Sequence, residues 1–153
     1  MKIIVDADAC PKGALAQCFR LGERYGIELY TVANYHHQIE SPRHIVVDGD
    51  SQAADMKIAN LSAAGDLVVT QDWGLAALIL GKGAQCLHPN GRRYQTETIG
   101  FLLEEREAKA RLRRSGGRTK GPKKREPQAD ERFGRVLEEM ILEGVQANKE
   151  TSE

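Results

Sequence analysis

A three-layer α/β/α fold, with helices on both faces of a mainly parallel sheet, is predicted by three observations. From Lys2 to Leu87 short runs of β-branched residues alternate with helical patterns, an alternation that calls for right-handed crossovers between parallel strands. Runs such as Ile3-Ile4-Val5 and Leu67-Val68-Val69 are apolar without polar interruption, as strands covered on both faces should be. Acids follow two of them: Asp6 and Asp8 after the first, and Asp72 shortly after the run from Asp66 to Thr70. Ligands of open α/β sheets sit at those carboxyl ends, where separate loops converge. The expected strand order is 3-2-1-4-5, which sets the ends of the first and fourth strands side by side.

The elements follow in order. Lys2 to Val5 is the first, central strand. Pro11 suits the opening turn of a helix, Leu15, Cys18 and Phe19 give it an apolar stripe, and Gly26 closes it, so a helix is predicted from about Pro11 to Tyr25. Ile27 to Ala33 is the second strand, and Asn34 to Pro42, with His36, His37 and Ser-Pro, a loop. Ile45-Val46-Val47 is the third strand, ended by the turn signal Asp48-Gly49-Asp50. Ser51 can cap the next helix, whose Ala54, Ile58, Ala59 and Leu61 lie near helical spacing before Gly65. Asp66 to Thr70 is the fourth strand, Trp73 to Leu80 a short apolar helix, and Ala84 to Leu87 the fifth strand, stopped by Pro89-Asn90-Gly91.

From Thr96 an apolar stripe of Ile99, Leu102 and Leu103, with Glu105–Lys109 and Glu107–Arg111 pairs four residues apart, predicts a helix to about Arg114. Residues 115–128 are rich in Gly, Pro, Lys and Arg, the composition of a flexible segment. Phe133, Val136, Leu137, Met140, Ile141 and Val145 then form the apolar face of a last helix, which must dock on the body or on a second copy, making a homodimer an open expectation. The chain thus divides into an α/β domain over 1–114, a basic segment over 115–128, and a helix and tail over 129–153.

Lys and Arg together equal Asp and Glu, so the net charge is zero, but it is polarised. Between Arg106 and Arg125 ten basic residues face Glu107 alone, a net +9 that leaves −9 for the rest of the chain. Cys10, Cys18 and Cys86 show no metal-ligand spacing, which fits reduced thiols in a cytoplasmic protein. Neither a secretory signal nor the ~18-residue apolar run of a membrane span is evident.

Gathered carboxylates repel one another, and a hard cation such as Mg²⁺ or Mn²⁺ offsets that charge with oxygen ligands alone. Asp6, Asp55 and Asp72 are the primary candidates for metal binding and catalysis, with Asp8 and Asp50 as further ligands. The plainer reading is that acids after strands cap helices and form turns. It suits Asp48 and Asp50, but less well Asp55, which falls inside a helix. Such a metal serves phosphodiester hydrolysis, where an attacking water must be activated and charge stabilised on two oxygens. Thr70 and Gln71 could orient a water or a phosphate oxygen.

The segment Ala53–Leu78, AADMKIANLSAAGDLVVTQDWGLAAL, resembles the D-x-x-I-A and L-V-x-T-x-D core of PIN-domain nucleases. With IIVDADACP at the start, GKGAQCLHPNGRRY in the middle, and the later Gly-Gly, Gly-Pro and Asp-x-x-Phe, nearly the whole chain resembles the YaiI/YqxD group of bacterial proteins. The resemblance implies a PIN-like fold and Mg²⁺- or Mn²⁺-dependent ribonuclease chemistry, with Asp6, Asp55 and Asp72 as the ligands. PIN enzymes usually carry another acid in the first helical region. Glu23 lies far along that helix here, so Asp8 or Asp50 would take the part.

A polyanion approaches an acidic site only when cations stand beside it. Lys12, Arg92, Arg93, Arg113, Arg114, Arg118, Lys120, Lys123 and Lys124 are the expected nucleic-acid contacts, although such charge runs are often only solubilising. RNA is the expected partner, with little aromatic interleaving for base readout. Two other functions compete. Asp6-Ala7-Asp8 resembles the nucleophile and acid of haloacid-dehalogenase-like phosphatases, with Asp50 to Asp55 as their later metal-binding acids, but no lysine-bearing strand precedes Gly49-Asp50. A non-catalytic module binding RNA or protein through its basic segment is the other.

Overall fold

The computed structural model describes residues 1–34, 40–48, 51–116 and 124–152, with the side chains at 51, 101–103, 106 and 151–152 outside the description. Five strands, β1 (Lys2–Asp6), β2 (Glu28–Asn34), β3 (His44–Val47), β4 (Leu67–Val69) and β5 (Gln85–Leu87), form one sheet in the order β3-β2-β1-β4-β5. Among the described residues the four strand pairings are parallel, and an antiparallel bridge, Leu87 to Arg93, extends the edge.

Among the described residues five α-helices flank the sheet, with α4 packed on α3: α1 (Lys12–Tyr25), α2 (Ser51–Leu61), α3 (Trp73–Gly81), α4 (Thr96–Arg114) and α5 (Ala129–Ser152). Because side chains alternate along a strand, the central strands feed two cores. Ile3, Val5, Leu67 and Val69 face α1 and α5, packing with Cys18, Leu21, Phe133, Leu137, Met140 and Ile141. Ile4 and Val68 face α2 and α3, packing with Ile58, Leu75, Ile79 and Tyr94. The architecture is therefore α/β/α in three layers, and α5 docks on this body through α1.

Local chemistry sets the boundaries. Pro11, extended at ψ 146, precedes the first turn of α1, and Gly26 ends that helix at φ 64, a conformation that favours a residue without Cβ. Asp72 caps α3, its Oδ1 accepting from the Leu75 amide at 2.9 Å. A 3-10 turn over Ala7–Ala9, which the sequence pattern did not suggest, bends the chain immediately after β1. Leu78, although within the apolar run of α3, is 60% exposed, whereas Leu75, Ala76 and Ile79 are buried against the sheet. The apolar stripe expected in α4 is seen in part, with Ile99 against the core, whereas the side chains of Leu102 and Leu103 lie outside the described residues.

At the amino-terminal edge of the sheet Asp66 joins β1 to β4. Its carboxylate accepts from the Lys2 amide at 3.0 Å, the Lys2 ammonium at 2.5 Å and the Ala63 amide at 2.8 Å. Burial alone would raise its pKa, but these bonds outweigh that effect and hold it below the usual carboxylate value. The charge clamp thus fixes the two adjacent strands whose opposite ends carry Asp6 and Asp72.

Candidate active site

The chain runs outward from β1 through β2 to β3, then crosses back to β4 and β5, so the direction of winding reverses between β1 and β4. That is where an open parallel sheet leaves a crevice at its carboxyl edge. A cavity of about 400 Å³ lies there, lined by Asp6, Asp8, Ala9, Ala54, Asp55, Gln71, Asp72 and Trp73. Four of the five expected acids therefore share one cavity, drawn from the end of β1, the 3-10 turn, α2 and the start of α3. Asp50 lies outside the described residues.

One hydroxyl couples two of these segments. Thr70 Oγ1 donates to Asp6 Oδ2 at 2.8 Å and accepts from the Asp72 amide at 3.0 Å. The side chain of Thr70 is buried, and Tyr94, buried beneath the site, donates its hydroxyl to the Thr70 carbonyl at 3.0 Å. Asp8 faces β2 and accepts the Asn34 amide on both oxygens, each at 3.1 Å. Gln71 crosses the crevice, donating from Nε2 to the Ala9 carbonyl at 2.7 Å.

Burial raises the Asp6 pKa, and the charges of Asp8 and Asp72 raise it further, while the Thr70 hydrogen bond pulls in the opposite direction. The donor set, all carboxylate oxygen with neither imidazole nor thiolate, suits Mg²⁺ or Mn²⁺ rather than zinc or copper. Among the described residues no three His, Cys, Asp or Glu side chains stand close enough to hold one ion together as positioned. Asp6, Asp8 and Asp72 each have an oxygen on a protein donor instead.

The expected cationic contacts are placed unevenly. Arg92 lies over the ring of Trp73, 5.9 Å from its centre; Trp73 lines the acidic cavity, and Arg92 does not. Arg93 points instead to α5, with Nη1 and Nη2 on the two Glu143 oxygens at 2.9 and 3.0 Å and Glu139 nearby at 3.6 Å. Lys12 opens α1 and is exposed, as are Arg113 and Arg114 in the last turn of α4. Arg118, Lys120 and Lys123 lie outside the described residues. Lys124 lines a second cavity with His88, Arg125 and Arg132, residues that the sequence did not single out because the fold alone brings 124–132 to the turn after β5.

The cysteines are not placed for nucleophilic work. Burial raises the thiol of Cys10 to about 12 and also raises those of Cys18 and Cys86, so thiolate is disfavoured at all three.

The sequence model of the family described as Uncharacterized BCR, YaiI/YqxD family matches residues 4–143. The chain belongs to this family. The match takes in the end of β1, all of β2 to β5 and the greater part of α5, so the YaiI/YqxD assignment covers most of the body. A UPF0178 protein of Heliobacterium modesticaldum is 53% identical over 143 residues, covering 94% of this chain and 98% of the relative. A UPF0178 protein of Alkaliphilus metalliredigens is 42% identical, covering 92% of each chain. Another, of Exiguobacterium sibiricum, is 42% identical and covers 94% of this chain and 98% of its own. No solved structure matches the chain. Among the described residues no helix is long and apolar enough to cross a membrane.

Proposed function

We propose that this YaiI/YqxD protein is a metal-dependent phosphodiesterase that cleaves RNA at the carboxyl edge of its sheet. The observation that carries the reading is the convergence of Asp6, Asp8, Asp55 and Asp72, from four separate segments, on one cavity at the reversal between β1 and β4. Asp6, Asp55 and Asp72 are the residues to hold Mg²⁺ or Mn²⁺, with Asp8 and Asp50 as further oxygen donors. A bound ion of this class supplies an activated water and offsets charge on the attacking and leaving oxygens.

The chain's own groups orient and enclose that site. The Thr70 hydroxyl sets the Asp6 carboxylate while fixing the backbone that carries Asp72. Trp73 and Ala54 wall the cavity, and the Arg92 guanidinium stacked on Trp73 adds positive charge one residue removed from it for the approach of a polyanion. The likeness of the Asp55-to-Asp72 segment to PIN nucleases favours RNA as substrate.

The phosphatase alternative calls for a cation beside Asp6 to hold a phosphoryl group, and among the described residues lining the cavity none is Lys or Arg. The test is cleavage of single-stranded RNA in Mg²⁺ or Mn²⁺, with and without chelator. Metal-dependent cleavage lost in Asp6→Asn and Asp72→Asn is the expected result. Retention of cleavage in both variants, or trapping of Asp6 by beryllofluoride, would sink the proposal. If neither variant affects RNA and removal of 115–128 abolishes binding, the protein is a binding module.

A further inference from the structure

We infer that the basic cavity beside the active site is a phosphate subsite, taking a backbone or terminal phosphate of the same RNA strand whose cleavage is proposed above. The cavity, of about 440 Å³, is lined by the turn after β5 and the chain entering α5. Of the described residues around it Lys124, Arg125 and Arg132 are cationic and only Glu126 is acidic. Asp130 pairs with Arg125, and Glu126 pairs with Arg132 at 3.8 Å.

Two features argue for a built site rather than a chance of surface charge. The first is that its guanidinium groups are held in place. Arg125 donates to Asp130 Oδ1 at 2.9 Å from Nε and to the Pro89 carbonyl at 3.1 Å from Nη2. Arg132 Nε donates to the Asn90 carbonyl at 2.8 Å. A guanidinium carries five N–H donors, and these bonds engage part of each set. His88 is held likewise: its Nδ1 accepts the Asn90 amide at 3.0 Å, so Nε2 carries the ring proton in the neutral form and is the ring's donor.

The second feature is position. Gln71 lines both cavities, so the basic one begins where the acidic one ends. The Trp73, His88 and Tyr94 rings pack together in this region with centroids 5.2 to 6.2 Å apart, giving a rigid wall. An anionic strand reaching the carboxylates can thus set a phosphate on fixed cations next to them. Fork-shaped guanidinium groups are suited to phosphate oxygens. Positioning of this kind adds affinity without reading base sequence.

The test uses the full chain in chelator and a short single-stranded RNA, made with either a 5′-phosphate or a 5′-hydroxyl, with binding read by fluorescence anisotropy. Lys124→Glu is the variant, because Lys124 is exposed and its replacement leaves the core intact. Lys149→Glu is the control for general charge, 20 residues beyond the start of α5 and so about 30 Å away along the helix. Lys124→Glu should weaken binding about tenfold near 0.1 M salt and flatten the salt dependence by about one counterion. Lys149→Glu should change affinity by less than about twofold, the effect of a distant screened charge.

Equal weakening on both RNAs assigns an internal phosphodiester to the cavity, and weakening confined to the 5′-phosphorylated RNA assigns a terminal phosphate. Wild-type affinity in Lys124→Glu, or an equal loss in Lys149→Glu, overturns the subsite. Cleavage in Mg²⁺ is measured alongside: Lys124-dependent binding without any cleavage would reject the nuclease and keep the subsite. Cleavage with Lys124-independent binding would do the reverse.

Discussion

Replacing Asp66 by Ala should weaken the fold while leaving the proposed site intact. Asp66 is 5% exposed, and its carboxylate accepts from two backbone amides, Lys2 and Ala63, and from the Lys2 ammonium. Alanine leaves both amides without that acceptor, at about 1–3 kcal/mol for each donor that stays buried. The Lys2 side chain, 22% exposed, can turn to water and adds little. The sum is about 2–6 kcal/mol, or a fall in Tm of about 6–18 °C at about 3 °C per kcal/mol for a chain of this size.

The effect should also depend on pH. The folded pKa of Asp66 is lowered, so its contribution is fully present above the unfolded value near 4 and is lost as pH falls through the lower folded value. Urea unfolding at neutral pH and again below about pH 4 should therefore show the gap between wild type and Asp66→Ala narrowing in acid. A gap below about 0.5 kcal/mol at neutral pH, or one that widens in acid, would refute the reasoning. RNA cleavage per folded molecule should be unchanged, since Asp66 lies at the edge of the sheet opposite Asp6 and Asp72.

Further outcomes follow from the same contacts. Phe133→Ala, at a fully buried position where α5 meets α1 and the sheet, should cost about 3–5 kcal/mol in urea unfolding, and a loss below about 1 kcal/mol would mean that α5 is not part of the core. Thr70→Val keeps the shape but removes the hydroxyl shared by Asp6 and Asp72, so Mn²⁺ affinity and RNA cleavage should fall about 10–100-fold. Calorimetric titration with Mn²⁺ and initial rates would show it, and unchanged affinity would remove Thr70 from the site. Gly91→Ala should destabilise by about 1–2 kcal/mol or more, because φ is 93 and a Cβ would lie 2.9 Å from Arg132 Cγ. A melting curve coincident with wild type would contradict that close approach.

Much of the scaffold was legible because buried parallel strands write themselves as unbroken apolar runs. Ile3-Ile4-Val5 and Leu67-Val68-Val69 declared β1 and β4, and the acids after them declared the carboxyl edge. Asp72 shows why a choice between helix cap and functional acid was too narrow: it caps α3 through Leu75 and also lines the cavity.

What the sequence concealed is long-range pairing. Asp66 looked like the start of a strand, whereas its partner Lys2 lies 64 residues away and no local period reports such a contact. Arg125 and Arg132 were hidden in the same way, one inside a charge run and the other on a helix, until α5 folded back beside Pro89 and Asn90. Arg93 seemed equivalent to its neighbour Arg92, but Arg93 faces Glu143 and Arg92 faces Trp73. Adjacent residues leave the chain on different sides, and only the packing tells which side meets the site.

The most direct measurement of the proposed chemistry is anomalous scattering from a crystal soaked in Mn²⁺. A peak coordinated by Asp6 together with Asp55 or Asp72, inside the cavity between β1 and β4, is the expected result. Mn²⁺ bound elsewhere, or a cavity that stays without a peak at saturating ion, would contradict a metal-dependent nuclease built on these aspartates.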